Sequence, residues 1–85
     1  MKFKEITTKQ YGVFRCTRCG DTLNGYCVAV AKQDDIEGKE WRTFHNDCYK
    51  YTLEACKMRN ITKKQEVLTF IYNRYDASPL VREEE

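Results

Sequence analysis

The sequence predicts a small α+β domain in which a β-hairpin precedes two helices. Apolar residues alternate along residues 26–32, which is the two-residue period of a strand. Tyr49, Leu53 and Cys56 then follow the i, i+4, i+7 spacing of one helix face. The chain also holds five cysteines in 85 residues, and a chain this short buries little apolar surface by itself. We therefore expect a cross-link or a bound metal to support the fold.

Composition restricts both the class of protein and its compartment. The chain is 41% hydrophobic and 33% charged, and its longest apolar run, residues 26–31, is far shorter than the about 20 residues of a membrane-spanning helix. The first ten residues have no apolar stretch of the kind found in a secretory signal. We expect an intracellular protein, cytoplasmic or, in a eukaryote, nuclear. Such a reducing compartment favours metal binding over disulfides.

The strands are predicted from short apolar runs and turn signals. Residues 11–15 are aromatic and β-branched and predict a strand that leads into Cys16. Residues 1–10 predict either a strand or a loose arm, and Asn24-Gly25 is a strong tight-turn signal. Residues 26–32 predict a strand, residues 33–39 a loop, and residues 40–44 the return strand of the hairpin.

The helices are predicted from their apolar faces and their ends. Asn46 suits the N-cap of a first helix that ends near Asn60. Residues 62–65 read as a capping box for a second helix over residues 63–75. Its apolar stripe is expected to pack on the rest of the domain: Val67, Leu68, Ile71, Tyr72 and Tyr75. The predicted domain is residues 1–76, with a core at 13–58 and the second helix at 62–76; residues 77–85 are expected to be a mobile acidic tail.

Four residues have the spacing of a metal site. Cys16 and Cys19 form a C-x2-C pair, and His45 and Cys48 form an H-x2-C pair after 25 intervening residues. Two residues between cysteines let both sulfur atoms of a turn face one ion, and positions i and i+3 share a face in the first turn of a helix. We predict one structural Zn²⁺ with these four ligands. The other two cysteines are expected to be buried as small apolar side chains.

The order of knuckle, hairpin and helix describes a treble-clef-like zinc finger. Residues 16–48 also resemble the poly(ADP-ribose) polymerase-type zinc finger, in which a CxxC pair and an HxxC pair stand in the same order. Gly25, Trp41 and Phe44 match the glycine and the aromatic positions of that family. The resemblance covers residues 13–57 and is shared by several small phage and bacterial proteins. It implies DNA binding, especially at breaks, through backbone contacts and base stacking.

The net charge and the number of predicted metal ligands favour a binding module over an enzyme. The net charge is +2, and without residues 82–85, one Arg and three Glu, 14 basic residues face 10 acidic ones. The only His is assigned to zinc, so neither an open metal position nor a general base is expected. We predict nucleic-acid binding, largely through phosphates. The candidate contacts are Arg15, Arg18, Arg42, Lys57, Arg59, Lys63 and Lys64.

A protein-binding adaptor or small regulator of a host or transcription protein is the alternative. The acidic residues between positions 34 and 40 would suit a basic protein partner. Phe70 lies off the main stripe of the second helix and would suit a second apolar contact. Neither hypothesis involves a membrane or a small-molecule substrate.

Overall fold

The chain forms a three-stranded antiparallel sheet and two helices. The computed structural model describes residues 2–36 and 40–77. The strands lie in the order β1-β2-β3. The elements are β1 (Phe3–Arg15), β2 (Thr22–Lys32), β3 (Arg42–Phe44), α1 (Asn46–Met58) and α2 (Lys64–Arg74). The predicted α+β class, with its hairpin followed by two helices, is confirmed.

β1 and β2 form a long hairpin whose connection is residues 16–21. The pairing runs from Phe3 opposite Lys32 to Tyr11 opposite Asn24, and an irregularity precedes Arg15 opposite Thr22. The predicted turn at Asn24-Gly25 is therefore wrong, since both residues lie inside β2. The knuckle at residues 16–21 reverses the chain instead, and Gly25 takes its φ of 123° within the strand.

β3 is the predicted return strand in a shorter form. Val28 pairs with Phe44 and Val30 with Arg42 in an antiparallel register. Arg42–Phe44 is three residues long, so the strand does not include Glu40 or Trp41. Of the predicted loop before it, residues 37–39 lie outside the described part of the chain. The strand ends directly before His45, which fixes where α1 begins.

α1 begins and ends with recognisable caps. His45, not Asn46, is the N-cap residue, with an extended backbone at φ −60° and ψ 155°. At the other end, Asn60 takes a φ of 60°. Its N–H donates to the Lys57 carbonyl at 3.0 Å, and the N–H of Ile61 donates to the Cys56 carbonyl at 2.9 Å. This pair of bonds is a Schellman motif, which satisfies two of the last carbonyls of the helix.

α2 packs on the sheet and α1 through its predicted stripe. Leu68, Ile71 and Tyr72 are buried. The predicted capping box is wrong, because the N-cap is Lys63 and the Gln65 side chain bonds to β1 rather than to the start of its own helix. The helix is nevertheless held at its predicted position, one residue shorter at each end.

Aromatic contacts join these layers into one core. The rings of Phe3 and Tyr72 lie 4.6 Å apart. The ring of Phe44 lies 5.9 Å from that of Tyr49 and 5.2 Å from that of Tyr75. The sheet, α1 and α2 therefore share a single apolar interior.

Two sequence predictions fall partly or wholly beyond the described residues. Residues 37–39 of the predicted loop lie there, and so does the predicted acidic tail over residues 77–85, except for Ala77. Within residues 2–36 and 40–77, neither helix has the length and apolar content needed to cross a membrane.

Candidate metal centre

The first two ligand positions lie in the knuckle that joins β1 to β2. The N–H of Cys16 donates to the Asp21 carbonyl at 2.8 Å, and the N–H of Gly20 donates to the Cys16 carbonyl at 2.8 Å. Gly20 has a φ of 85°, a conformation that a residue with a Cβ rarely adopts. These bonds close a tight turn that holds Cys16 and Cys19 on one side.

The other two positions lie where β3 passes into α1. His45 is the N-cap of the helix and Cys48 is in its first turn. The knuckle is tied to this segment by two bonds that involve Thr43. The Thr17 N–H donates to the Thr43 carbonyl at 2.8 Å, and the Thr43 hydroxyl donates to the Arg15 carbonyl at 3.1 Å. Backbone contacts thus bring the two halves of the centre together.

The four side chains meet as predicted. One ligand atom from each of Cys16, Cys19, His45 and Cys48 lies within 4.8 Å of all the others. His45 Nδ1 is 3.3 Å from Cys19 Sγ and 3.9 Å from Cys48 Sγ. In a tetrahedral zinc site, bond lengths near 2.3 Å and 2.0–2.1 Å place sulfur and nitrogen about 3.6 Å apart. The four residues can therefore hold one metal ion.

One side of the centre is open to solvent. Cys16 and Cys48 are buried, His45 is half-buried and Cys19 is exposed. An ion can reach the cluster past Cys19, while the buried thiols join it to the apolar core. The centre and the core therefore share the side chains of Cys16 and Cys48.

The two buried thiols titrate differently in the absence of metal. Burial raises the pKa of Cys16, but N–H donors from the backbone of Cys19, His45 and Arg18 outweigh it and lower the pKa to about 7. Burial, together with a hydrogen bond from Cys48 to Cys16, raises the pKa of Cys48 to about 11. Cys16 thus loses its proton before Cys48, and metal binding would have to displace a proton from Cys48.

Arg18 links the knuckle to the ligand on α1. Its guanidinium donates to Cys48 Sγ over 3.8 Å, and this bond raises the pKa of Arg18. The same guanidinium lies 4.5 Å from the centre of the Tyr51 ring. The side chain is therefore oriented by a thiol and an aromatic ring while it stays exposed.

The remaining cysteines are core residues, as predicted. Cys27 and Cys56 are 0% and 1% exposed and pack in the main apolar cluster. Burial raises the pKa of both thiols. Both are therefore expected to stay protonated at neutral pH and to act as small apolar groups.

The predicted phosphate contacts have different environments. Lys57 lies 3.8 Å from Glu54, Lys64 lies 3.2 Å from Glu5, and the Arg15 guanidinium donates to the Gly20 carbonyl at 3.3 Å. Lys63 is the exposed N-cap residue of α2, and the Arg59 guanidinium lies 5.5 Å from the Phe70 ring centre. These side chains are all at the surface, so phosphates can reach them.

Arg42, another predicted phosphate contact, is half-buried and bonded to other parts of the fold. Its guanidinium lies 3.7 Å from the centre of the Tyr72 ring. It donates to the carbonyls of Tyr72 at 3.1 Å, Tyr75 at 2.9 Å and Glu40 at 2.6 Å. The Nε–H of Arg42 therefore fixes the end of α2 to β3, and one terminal nitrogen bonds to the Glu40 carbonyl.

Arg74 is a surface cation that the sequence reasoning missed. Its guanidinium lies 5.9 Å from the ring of Phe70, one turn earlier on α2. The i, i+4 spacing of these two residues was the signal that could have identified it.

The aromatic residues divide between surface and interior. Tyr11, Tyr26 and Tyr51 are more than 60% exposed. Of the other aromatic side chains, Trp41 is half-buried, and Tyr49 and Tyr72 are buried. The buried Tyr49 hydroxyl donates to the Glu5 carboxylate, and this bond lowers the pKa of Glu5. Among the described tyrosines, these three offer the most exposed stacking surfaces.

Comparison of the chain with protein-family models, with curated proteins and with solved structures finds no match. The resemblance to poly(ADP-ribose) polymerase-type fingers and the treble-clef description therefore remain predictions from the ligand spacing.

Proposed function

We propose that the four-residue cluster binds one structural Zn²⁺ in a treble-clef-like finger. Support comes from the donor set, since three thiols and one imidazole are the ligands of a common class of structural zinc sites. The positions also suit this class, because the knuckle supplies the first pair and the start of α1 the second. When bound, zinc would hold the hairpin and α1 together.

Catalysis at this centre is disfavoured by its ligand count. A catalytic zinc keeps one position open for water or substrate, while four protein ligands close the coordination shell. The chain has a single His, and that residue belongs to the cluster. The proposed role of the metal is therefore to maintain a rigid binding surface.

The proposed function of the module is nucleic-acid binding, largely through the sugar–phosphate backbone. The carrying observation is that three exposed guanidiniums lie over aromatic rings near α1 and α2: Arg18 over Tyr51, and Arg59 and Arg74 over Phe70. An arginine held on a ring loses less conformational freedom when it binds a phosphate oxygen. The surface lysines Lys57, Lys63 and Lys64 would add to the same field.

Phosphate contacts predict a characteristic salt dependence. If four or five of these side chains contact phosphates, the slope of log K against log salt is expected to be about −3 to −5. Affinity should vary little with base sequence, since such contacts position the protein without reading bases.

A salt titration of the zinc-loaded full chain tests this function. Duplex, nicked and single-stranded DNA would be titrated from 50 to 200 mM salt, with fluorescence anisotropy as the readout. Double charge reversal, Arg59→Glu with Lys63→Glu, should weaken binding to every DNA that the wild type binds. Lys2→Glu with Lys4→Glu is the control, because it makes the same change of charge at the start of the chain's first strand and neither lysine is among the proposed contacts. Absence of binding to all three DNAs at 50 mM salt would refute the proposal.

A protein-binding adaptor is the second candidate, and an apolar hollow on α2 favours it. The hollow has a volume of about 360 Å³ and is lined by Ile61, Gln65, Glu66, Thr69 and Phe70. Met58, nearby in the chain, is 83% exposed. This candidate replaces the first if no DNA binds. Its own test is capture of a protein partner by the wild-type chain. Phe70→Ala should abolish this capture, and Tyr26→Ala should leave it intact.

A further inference from the structure

A cleft between α1 and α2 combines positive charge with aromatic walls. It has a volume of about 220 Å³, and the residues that line it include Arg18 from the knuckle, Tyr51 and Thr52 from α1, and Phe70 and Arg74 from α2. The cleft therefore joins three segments of the chain that are distant in sequence.

The charge of this cleft has one sign. Arg18 and Arg74 both line it, and none of the described residues around it carries a carboxylate. A guanidinium presents a planar set of N–H donors that matches the oxygens of a phosphate. The lining therefore favours an anion, since the described residues that line the cleft include two guanidiniums and no carboxylate.

The rest of the lining suits a flat apolar group beside that anion. The Arg18 guanidinium lies 4.5 Å from the Tyr51 ring centre, and the Arg74 guanidinium lies 5.9 Å from the Phe70 ring centre. Each cation is thus adjacent to an aromatic side chain that can contact a base. A volume below the about 300–1,000 Å³ of drug-sized pockets limits the ligand to a small unit.

We propose that this cleft binds a single nucleotide unit, with its phosphate at Arg18 and Arg74 and its base against the aromatic walls. Where the nucleotide is part of a strand, the inference rests on the proposed nucleic-acid function. The cleft would then be one specific contact between the protein and that strand. A free mononucleotide offers the same chemistry, so the experiment must separate the two sources.

The first test is calorimetric titration of the zinc-loaded full chain with thymidine 5′-monophosphate, thymidine and inorganic phosphate. The nucleotide should bind at least about tenfold more tightly than either fragment, since only the nucleotide uses both parts of the cleft. Equal affinity for inorganic phosphate or for thymidine would overturn the proposal. So would equal affinity for phenyl phosphate, which would indicate a phosphorylated aromatic side chain instead.

Arg74 variants show whether the binding occurs in the cleft. Arg74 is exposed in the last turn of α2, so Arg74→Gln should fold normally, which circular dichroism would check. Nucleotide affinity should fall at least about tenfold in Arg74→Gln and less in Arg74→Lys, which keeps the charge. Lys9→Gln, the same loss of charge on β1, should leave affinity unchanged. If Arg74→Gln and Lys9→Gln lose the same amount of nucleotide affinity, the effect comes from net charge alone. That result would refute the cleft as the binding site.

A ten-residue oligothymidylate separates this inference from the proposed function. If Arg74→Gln weakens both strand binding and mononucleotide binding, both proposals are supported. Strand binding that Arg74→Gln leaves intact, without mononucleotide binding, refutes the cleft and keeps the function. If a mononucleotide binds and Arg74→Gln weakens it, but no DNA binds, the cleft proposal stands and the nucleic-acid function is refuted.

Discussion

The guanidinium of Arg18 donates a hydrogen bond to the Sγ atom of Cys48 over 3.8 Å. One side chain of the knuckle therefore contacts the ligand supplied by α1, although 30 positions separate the two residues. Outer-shell donors of this kind orient a metal ligand and stabilise its charged form. Because Arg18 also lines the cleft between the helices, the metal centre and that cleft share one residue.

Arg18→Gln is expected to weaken zinc binding by about 10- to 100-fold, the usual effect of losing an outer-shell partner. The cause is loss of the cation that stabilises the Cys48 thiolate. Competition with a chromophoric chelator measures the change. Arg59→Gln is the matched control, since Arg59 lies over Phe70 and should leave zinc affinity unaltered. Equal affinities in wild type and Arg18→Gln would show that the contact does not support the metal.

Cys48→Ala is expected to abolish stoichiometric zinc binding and to unfold residues 14–56. Structural zinc supplies about 10–16 kcal/mol of apparent binding free energy in small fingers, as much as the about 5–15 kcal/mol of net stability in a whole domain. Elemental analysis and far-ultraviolet circular dichroism give the readouts. Cys27→Ala removes a buried thiol outside the cluster and should keep one zinc per chain. Loss of zinc from Cys27→Ala would mean that a different set of four residues binds it.

Zinc affinity is expected to fall at least about tenfold from pH 7 to pH 6. Zinc binds thiolates, so protons compete with it, and affinity falls as pH falls. The Cys48 pKa of about 11 means that this proton is displaced throughout the range, while the Cys16 pKa of about 7 adds a second one at its lower end. Chelator competition at each pH measures the slope. A constant affinity between pH 7 and pH 6 would contradict thiolate ligation.

Leu68→Ala is expected to lower the free energy of unfolding by about 2–5 kcal/mol, the cost of a large cavity in an apolar core. Leu68 is 1% exposed and belongs to the main cluster of buried residues. Urea denaturation of the zinc-loaded protein measures the loss. Met58→Ala is the control, since this methionine is 83% exposed and its removal should change stability by less than about 0.5 kcal/mol. Similar losses in both variants would place Leu68 outside the core.

Gln65→Ala is expected to cost about 1–3 kcal/mol of stability. The Gln65 side chain accepts a hydrogen bond from the Phe3 N–H at 2.9 Å and donates one to the Phe3 carbonyl at 3.0 Å. Its removal leaves both backbone groups without these partners beside the buried Phe3 ring. Urea denaturation again gives the readout. Gln10→Ala removes one 3.3 Å bond to the Thr8 hydroxyl and should lower stability less than Gln65→Ala does. A larger loss of stability in Gln10→Ala would contradict the role given to Gln65.

The metal ligands and the helix faces could be predicted because their signals are local. A CxxC pair and an HxxC pair each fix two ligands through a few backbone bonds, and the stripe that includes Leu68 and Ile71 follows from helix periodicity alone. The burial of Cys27 and Cys56 followed from ligand counting, since four residues complete a structural zinc site.

The errors occurred where distant partners override local preference. Residues 1–10 allowed either a strand or a loose arm, and pairing with β2 makes the part from Phe3 onward a strand. Gln65 has the spacing of a capping residue, but its side chain forms hydrogen bonds with the backbone of Phe3. Arg42 looked like any surface cation in the sequence, and only the packing of α2 against β3 turns it inward.

The bond between Phe3 and Gln65 spans 62 of the 85 positions in the chain. This contact is long-range for so small a domain, because β1 is completed by α2 near the other end of the described residues. Such long-range closure slows folding relative to a helical bundle of equal length. During synthesis, the hairpin and the knuckle emerge first, with the helix-facing side of β1 uncovered until α2 has left the ribosome. The nascent chain is thus expected to depend on α2 for protection against aggregation during this interval.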